Sequence, residues 1–146
     1  MLPSVAIYVG SSVVIVASRH ATPDGIVYEQ DSPVVLKSGS AADIGAAVKQ
    51  AFGAFSIRTK NLRDLKASDW PAFQASGCRS IKQFATEFRA IFVGHLNSSG
   101  MVARAELAIP GDADFAVSTT FNPRLPDEEV GRCVLGVVDR GKRAAL

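Results

Sequence analysis

The chain has 146 residues, 47% hydrophobic and 21% charged, with a formal net charge of +2 at neutral pH. That is enough for one domain with a real core and too apolar for disorder. A surplus of two positive charges implies neither a nucleic-acid-binding surface nor an acidic mimic of nucleic acid, and two cysteines are no disulfide framework, which points to a cytoplasmic protein.

Residues 5–9 and 13–17 are rich in β-branched side chains around Gly10-Ser11-Ser12. The stretch is too short to span a bilayer and no basic segment precedes it, so it predicts a β-hairpin, with no membrane anchor. Thr22-Pro23-Asp24-Gly25 predicts a turn, followed by short strands at 26–29 and 34–36. Ser40, with Asp43 three residues on, opens a helix whose apolar face carries Ile44, Val48, Ala51, Phe52 and Phe55. Residues 58–66 are polar and basic around Leu62 and Leu65.

The stretch from Ser68 to Phe84 is dense in helix signals. Ser68 or Asp69 can cap a short helix, Pro71 suits its first turn, and Gly77 suits a left-handed end. Ser80 and Gln83 form a capping-box pattern that restarts a helix at once. Trp70, Phe73 and Phe84 are its apolar anchors, so the whole reads as a helix-turn-helix wedge.

Residues 88–96 alternate in polarity, 97–100 predict a hairpin loop, and 101–109 return. Pro110 ends that strand, 111–114 predict a turn, and 115–121 a third strand of an antiparallel meander. In this hairpin Val93 is expected opposite Arg104, and Ile91 opposite Glu106. Arg89, His95, Arg104 and Glu106 would then rim an apolar centre of Ile91, Val93 and Val102, a pattern found in protein interfaces. A helix of the same domain covering that face is the competing account.

Pro126-Asp127-Glu128-Glu129 starts a last helix with acids at the positive end of its dipole. Val130, Val134, Leu135, Val137 and Val138 give it an apolar face, Gly141 is expected to stop it, and 142–146 to fray. Asp43-Ile44-Gly45-Ala46-Ala47-Val48 echoes Glu129-Val130-Gly131-Arg132-Cys133-Val134. A glycine inside a helix costs about 1 kcal/mol against alanine. Its use in both helices implies close approach to a neighbouring backbone. The whole reads as one α+β (α/β) domain over residues 1–146, an antiparallel β-sheet with helices packed against it.

Chemistry-bearing patterns are few. Cys78 near a helix start and His95 at a strand end suggest a Cys–His hydrolase, but no orienting third group is evident and both suit packing roles. Asp112 and Asp114 offer too few oxygens for a hard cation. Gly10-Ser11-Ser12 matches no phosphate-binding pattern. Arg58, Lys60, Arg63 and Lys66 are a basic run that could serve a nucleic-acid-binding module, yet aromatic residues are not interleaved and Asp64 interrupts it. No catalytic residue, cofactor site or metal ligand is assigned.

The segment from Trp70 to Phe84, with the helix from Asp127 to Leu135, resembles the immunity proteins of bacterial contact-dependent growth inhibition (CDI) systems. The helix around Ile44-Gly45 and the strands from Phe88 to Phe121 follow in the expected order, so the resemblance covers roughly residues 40–139, about two-thirds of the chain. It implies a non-enzymatic cytoplasmic protein that neutralises the C-terminal domain of a cognate CdiA-type toxin, a nuclease in several systems, without touching nucleic acid or membrane. It also implies β-augmentation, a toxin hairpin pairing with the immunity protein's sheet. Arg89, His95, Arg104 and Glu106 are the toxin-binding candidates only through their shared sheet face.

Overall fold

Residues Ser4–Val9 (β1) read Ser-Val-Ala-Ile-Tyr-Val, with no charge and a polar residue only at the end. Such a run suits a strand buried on both faces. In the computed structural model, which describes residues 3–37, 39–97, 100–106 and 116–144, β1 lies inside a seven-stranded sheet. It pairs antiparallel with Val14–Ala21 (β2) through the expected hairpin, and with Arg89–Asn97 (β5) on its other edge. Val27–Glu29 (β3) and Val34–Leu36 (β4) share the far edge of β2. Gly100–Glu106 (β6) and Ala116–Phe121 (β7) complete the expected meander. The order is β3-β2-β1-β5-β6-β7, with β4 beside β2, and every ladder is antiparallel.

Among the described residues four α-helices cover the sheet in an α+β arrangement. Ala41–Gly53 (α1) starts at Ser40, whose hydroxyl accepts the Asp43 amide at 3.2 Å. It packs with Asp127–Ala144 (α4) on one sheet face. The core there comprises Val5, Ile7, Val14, Val16, Ile91 and Val93 from the sheet, Ile44 and Val48 from α1, and Val130, Val134 and Val137 from α4. The opposite face of β1 and β2 carries Ala6, Tyr8, Ile15 and Ala17. Pro71–Ser76 (α2) and Ile81–Glu87 (α3) cover it with Ala72 and Phe84. The Phe84 ring meets Tyr8, Trp70, Phe73 and Phe88 at centroid distances of 4.9 to 6.1 Å. The wedge is thus a lid on the second sheet face.

The two repeated helix segments meet each other. A Cβ on Gly45 would run into the Asp127 carbonyl of α4, and one on Gly131 into the Ala41 carbonyl of α1, both far closer than the 3.0 Å that real Cβ atoms respect. Lys49 fastens the same crossing, donating to the Leu125 carbonyl and pairing with Asp127, each at 2.7 Å.

Several expectations are corrected. α2 is capped by Trp70 without a side-chain bond, while Asp69 instead closes the preceding 3-10 turn by accepting the Lys66 amide at 3.0 Å. Gly77 does adopt the left-handed conformation, at φ 72°. α1 ends at Gly53, before Phe55. α4 runs past Gly141 to Ala144, because a helical glycine is costly but does not force a stop. The expected turn at 111–114, with Asp112 and Asp114, lies outside the described residues.

The largest correction is the β5–β6 register. Asn97 pairs with Gly100, but a β-bulge between His95 and Asn97 shifts every pair beyond it by one residue. Val93 faces Ala103 and Ile91 faces Ala105. Since side chains alternate with period two, that slip moves Arg104 and Val102 to the opposite sheet face from Ile91 and Val93.

Candidate functional site

The bulge disperses the residues expected to form an interface. Arg89 pairs with Val9 at the start of β5. His95, on the helix-covered face, sets its ring edge-on to Phe52 of α1 at 5.1 Å. Arg104 lies on the other face, opposite Phe92 and Ser118. Glu106 pairs with Ala116 in the ladder, and its side chain lies outside the described residues. Cys78 packs with the Phe84 cluster and its thiol approaches Glu87 at 3.7 Å. The sheet therefore stands between Cys78 and His95, and no Cys–His pair is assembled. The basic run is divided as well: Arg58 is held by Asp31, whereas Lys60 lies over the Tyr28 ring at 5.6 Å.

The structure builds a cleft that the sequence did not announce. It has a volume of about 340 Å³ and opens between β3, the Lys66–Pro71 segment and β5. Glu29 and Trp70 form its wall with Tyr8, and Phe92 and Arg19 stand at its sheet side. The Tyr8 hydroxyl donates to Glu29 Oε2 at 2.5 Å, and Trp70 Nε1 donates to the same oxygen at 2.9 Å. The wedge is thereby tied to β1 and β3 by one carboxylate. Burial pushes the Glu29 carboxyl above its ordinary range, and the Tyr8 and Trp70 bonds and the Arg19 charge only partly offset that. The Tyr8 hydroxyl is also pushed up, by burial first and then by the charge of Glu29. Arg19, opposite Glu29 in the β2–β3 ladder, lies over the Phe92 ring at 4.9 Å. Among the described residues neither Arg19 nor Arg104 forms an ion pair.

A second cluster joins four residues from three separate parts of the chain. His20 is fully buried, with Nε2 2.7 Å from Asp31 Oδ2 and Nδ1 3.0 Å from Ser56 Oγ. Arg58 donates from Nε to Ser56 Oγ at 2.8 Å and grips Asp31 with two bonds of 3.0 and 3.2 Å. One proton assignment satisfies the whole ring. Arg58 donates to Ser56, Ser56 to Nδ1 of neutral His20, His20 through Nε2 to Asp31, and Arg58 closes the circuit on Asp31. The Arg58 bonds hold the Asp31 carboxyl below the usual carboxylate range. Serine, histidine and aspartate also make hydrolase triads, but a triad needs a serine open to substrate. Here Ser56 is bonded on both sides, and the cleft is lined by none of the four. Backbone bonds from Ala21 to Ser56 and from Arg58 to Ala21 hold the same segment beside β2. The ring is a tie between β2, the β3–β4 connection and the chain after α1.

Both clusters escaped sequence reasoning because Tyr8, Glu29 and Trp70, like His20, Asp31 and Ser56, carry no fixed spacing. The one local signal was a lone acid ending a strand at Glu29. Among the described residues no three His, Cys, Asp or Glu side chains gather as a metal site. Nor is any described helix long and apolar enough to cross a membrane.

No family model matches the sequence, and no curated protein matches it. Solved structures do resemble the fold. A Neisseria meningitidis protein of unknown function superposes with a TM-score of 0.71 at 10% identity, covering 96% of this chain and 95% of that one. A chain of the CdiA-CT/CdiI toxin and immunity complex from Yersinia pseudotuberculosis superposes with a TM-score of 0.66 at 9% identity, covering 96% and 97%. The likeness extends well beyond residues 40–139 to the amino-terminal strands. At such identities it is a likeness of fold alone.

Proposed function

We propose that this protein is a CDI immunity protein. It binds the C-terminal domain of a cognate CdiA-type toxin in the cytoplasm and neutralises it without chemistry of its own. The observation that carries this reading is the near-complete fold match to a chain of a CdiA-CT/CdiI complex. The separation of Cys78 from His95 and the closed His20 ring also favour a binding protein over a hydrolase. The toxin domain is a nuclease in this reading. With a net charge of only +2, the protein grips an exosite or a hairpin and does not imitate nucleic acid. A toxin strand adding to the sheet would supply main-chain hydrogen bonds, and the exposed side chains would supply specificity.

The test is co-purification with the toxin domain encoded beside this chain, paired with a growth-protection assay. A stable complex and rescued growth support the reading. A folded protein that neither binds nor protects against an active toxin overturns it. If reversing the charges of Glu106, Asp112 and Asp114 abolished binding while prolines on the sheet edge did not, the exosite mode would be wrong.

A further inference from the structure

The helices leave part of the sheet uncovered. On the β5–β7 side of the second face, the register aligns Phe92 with Arg104 and Ser118, and Gly94 with Val102 and Thr120. Phe92 is 36% exposed, and Arg104, Ser118 and Thr120 face solvent. This patch continues into the cleft through Phe92 and Arg19. Two arginines therefore flank one exposed ring, Arg19 stacked on it and Arg104 beside it in the next strand. Lys66 adds a third cation at the cleft rim. The acids on the same wall are held by neutral donors, Glu29 through Oε2 by Tyr8 and Trp70 and Asp69 by the Lys66 amide, and neither pairs with a guanidinium among the described residues. What the surface offers a visitor is thus an aromatic platform flanked by two guanidinium groups that form no ion pair among the described residues.

We infer that the Arg19–Phe92–Arg104 surface and the adjoining cleft receive a carboxylate-bearing segment of the toxin domain, an Asp or Glu side chain meeting the two guanidinium groups while its apolar neighbours lie on Phe92. Arginine suits that role because its planar fork binds a carboxylate with two bonds while its flat face stays on an aromatic ring. Charge complementarity favours an acidic protein segment over nucleic acid. A phosphate chain carries a charge at every step and would pass the fixed carboxylates of Glu29 and Asp69. The inference deepens the toxin-binding reading and rests on it for the partner's identity.

Trp70 is the only tryptophan in the chain and lines the cleft, so its fluorescence reports occupancy directly. The probes are a hexapeptide of alternating Glu and Val, its Lys–Val counterpart, and a short oligothymidylate. The Glu peptide is expected to shift Trp70 emission, to bind more weakly as salt rises, and to lose at least tenfold in affinity with Arg104→Glu. Arg104 is exposed, so that variant should melt like the wild type. Equal or tighter binding of the Lys peptide or the oligonucleotide, no response to the Glu peptide, or indifference to Arg104→Glu overturns the inference. The same variant and Arg19→Gln are then assayed against the toxin domain encoded beside this chain, each expected to weaken the complex at least tenfold. If the wild type binds the toxin and both variants bind equally well, this surface is wrong and the immunity reading stands. If the wild type forms no complex, the immunity reading falls, and the peptide titration alone decides the cleft.

Discussion

Gly45 and Gly131 occupy reciprocal positions: each lies against the carbonyl four residues before the other, Gly45 on Asp127 and Gly131 on Ala41. α1 and α4 therefore cross with their backbones nearly touching, and each glycine makes room for the other helix. Alanine would gain about 1 kcal/mol of intrinsic helix preference at either site. It would also drive a methyl group into a carbonyl that belongs to a packed helix. Overpacking of this kind costs about 1–3 kcal/mol, so Gly45→Ala and Gly131→Ala should each lower stability in urea unfolding. Their double variant should lose less than the sum, because one forced separation opens the crossing for both.

Glu29 ties the wedge to the sheet while carrying a burial cost. Its carboxyl is raised, so the protonated form is favoured on folding. That contribution is fully present below the unfolded value of 4.5 and is lost as pH rises through the folded value. Relative to Glu29→Gln, the wild type should therefore lose thermal stability as pH climbs from the acid range towards neutrality. Glu29→Ala differs in kind. It strips the acceptor from the Tyr8 hydroxyl and the Trp70 indole, and should cost about 1–3 kcal/mol at neutral pH.

Asp31 should show the opposite slope. Its carboxyl is held low, chiefly by Arg58, so its contribution is complete above the ordinary value of 3.8 and disappears as pH falls through the lower folded value. Asp31→Asn should be less stable at neutral pH and should show a shallower loss in acid than the wild type. Thermal melts of both proteins across the acid range measure the difference. An identical acid limb would mean that the His20 ring does not couple to stability.

Cys78 and His95 serve packing on opposite sides of the sheet. Alanine at either position should leave toxin binding and growth protection at wild-type levels. Loss of protection by both variants, with the fold intact in circular dichroism, would restore the hydrolase reading.

The second sheet face depends on one ring. Phe84 is 2% exposed and touches four other aromatic side chains. Phe84→Ala should cost about 3–5 kcal/mol in chemical denaturation and loosen the cleft wall built on Trp70. An unchanged midpoint would show that the wedge is not needed to hold the domain together.

Much of this architecture was legible in the sequence because local signals carried it. Ser40 and the Ser80–Gln83 pair mark helix starts by hydrogen bonds within a few residues, Gly77 marks an end by its left-handed conformation, and the alternation after Phe88 marks strands by period two. The glycine echo even disclosed a helix contact across the chain. The site was hardly legible, for two reasons. Its polar groups converge from β1, β3 and the wedge, and no spacing rule links Tyr8 to Glu29 to Trp70. The bulge before Asn97 adds one residue that no local preference announces, and that residue decides which face Arg104 occupies.

The position of β1 also constrains how the chain can fold. Its second neighbour, β5, lies some eighty residues downstream, and α1 completes its packing only against α4, the last helix described. Contacts of such long sequence separation slow folding, because the loops must close before the pairing is gained. A nascent chain that ends before Arg89 would leave one edge of its most apolar strand open and α1 without its partner helix. Such intermediates are prone to aggregate. Closure of β1 against β5 and of α1 against α4 should therefore be the slow steps in folding this domain.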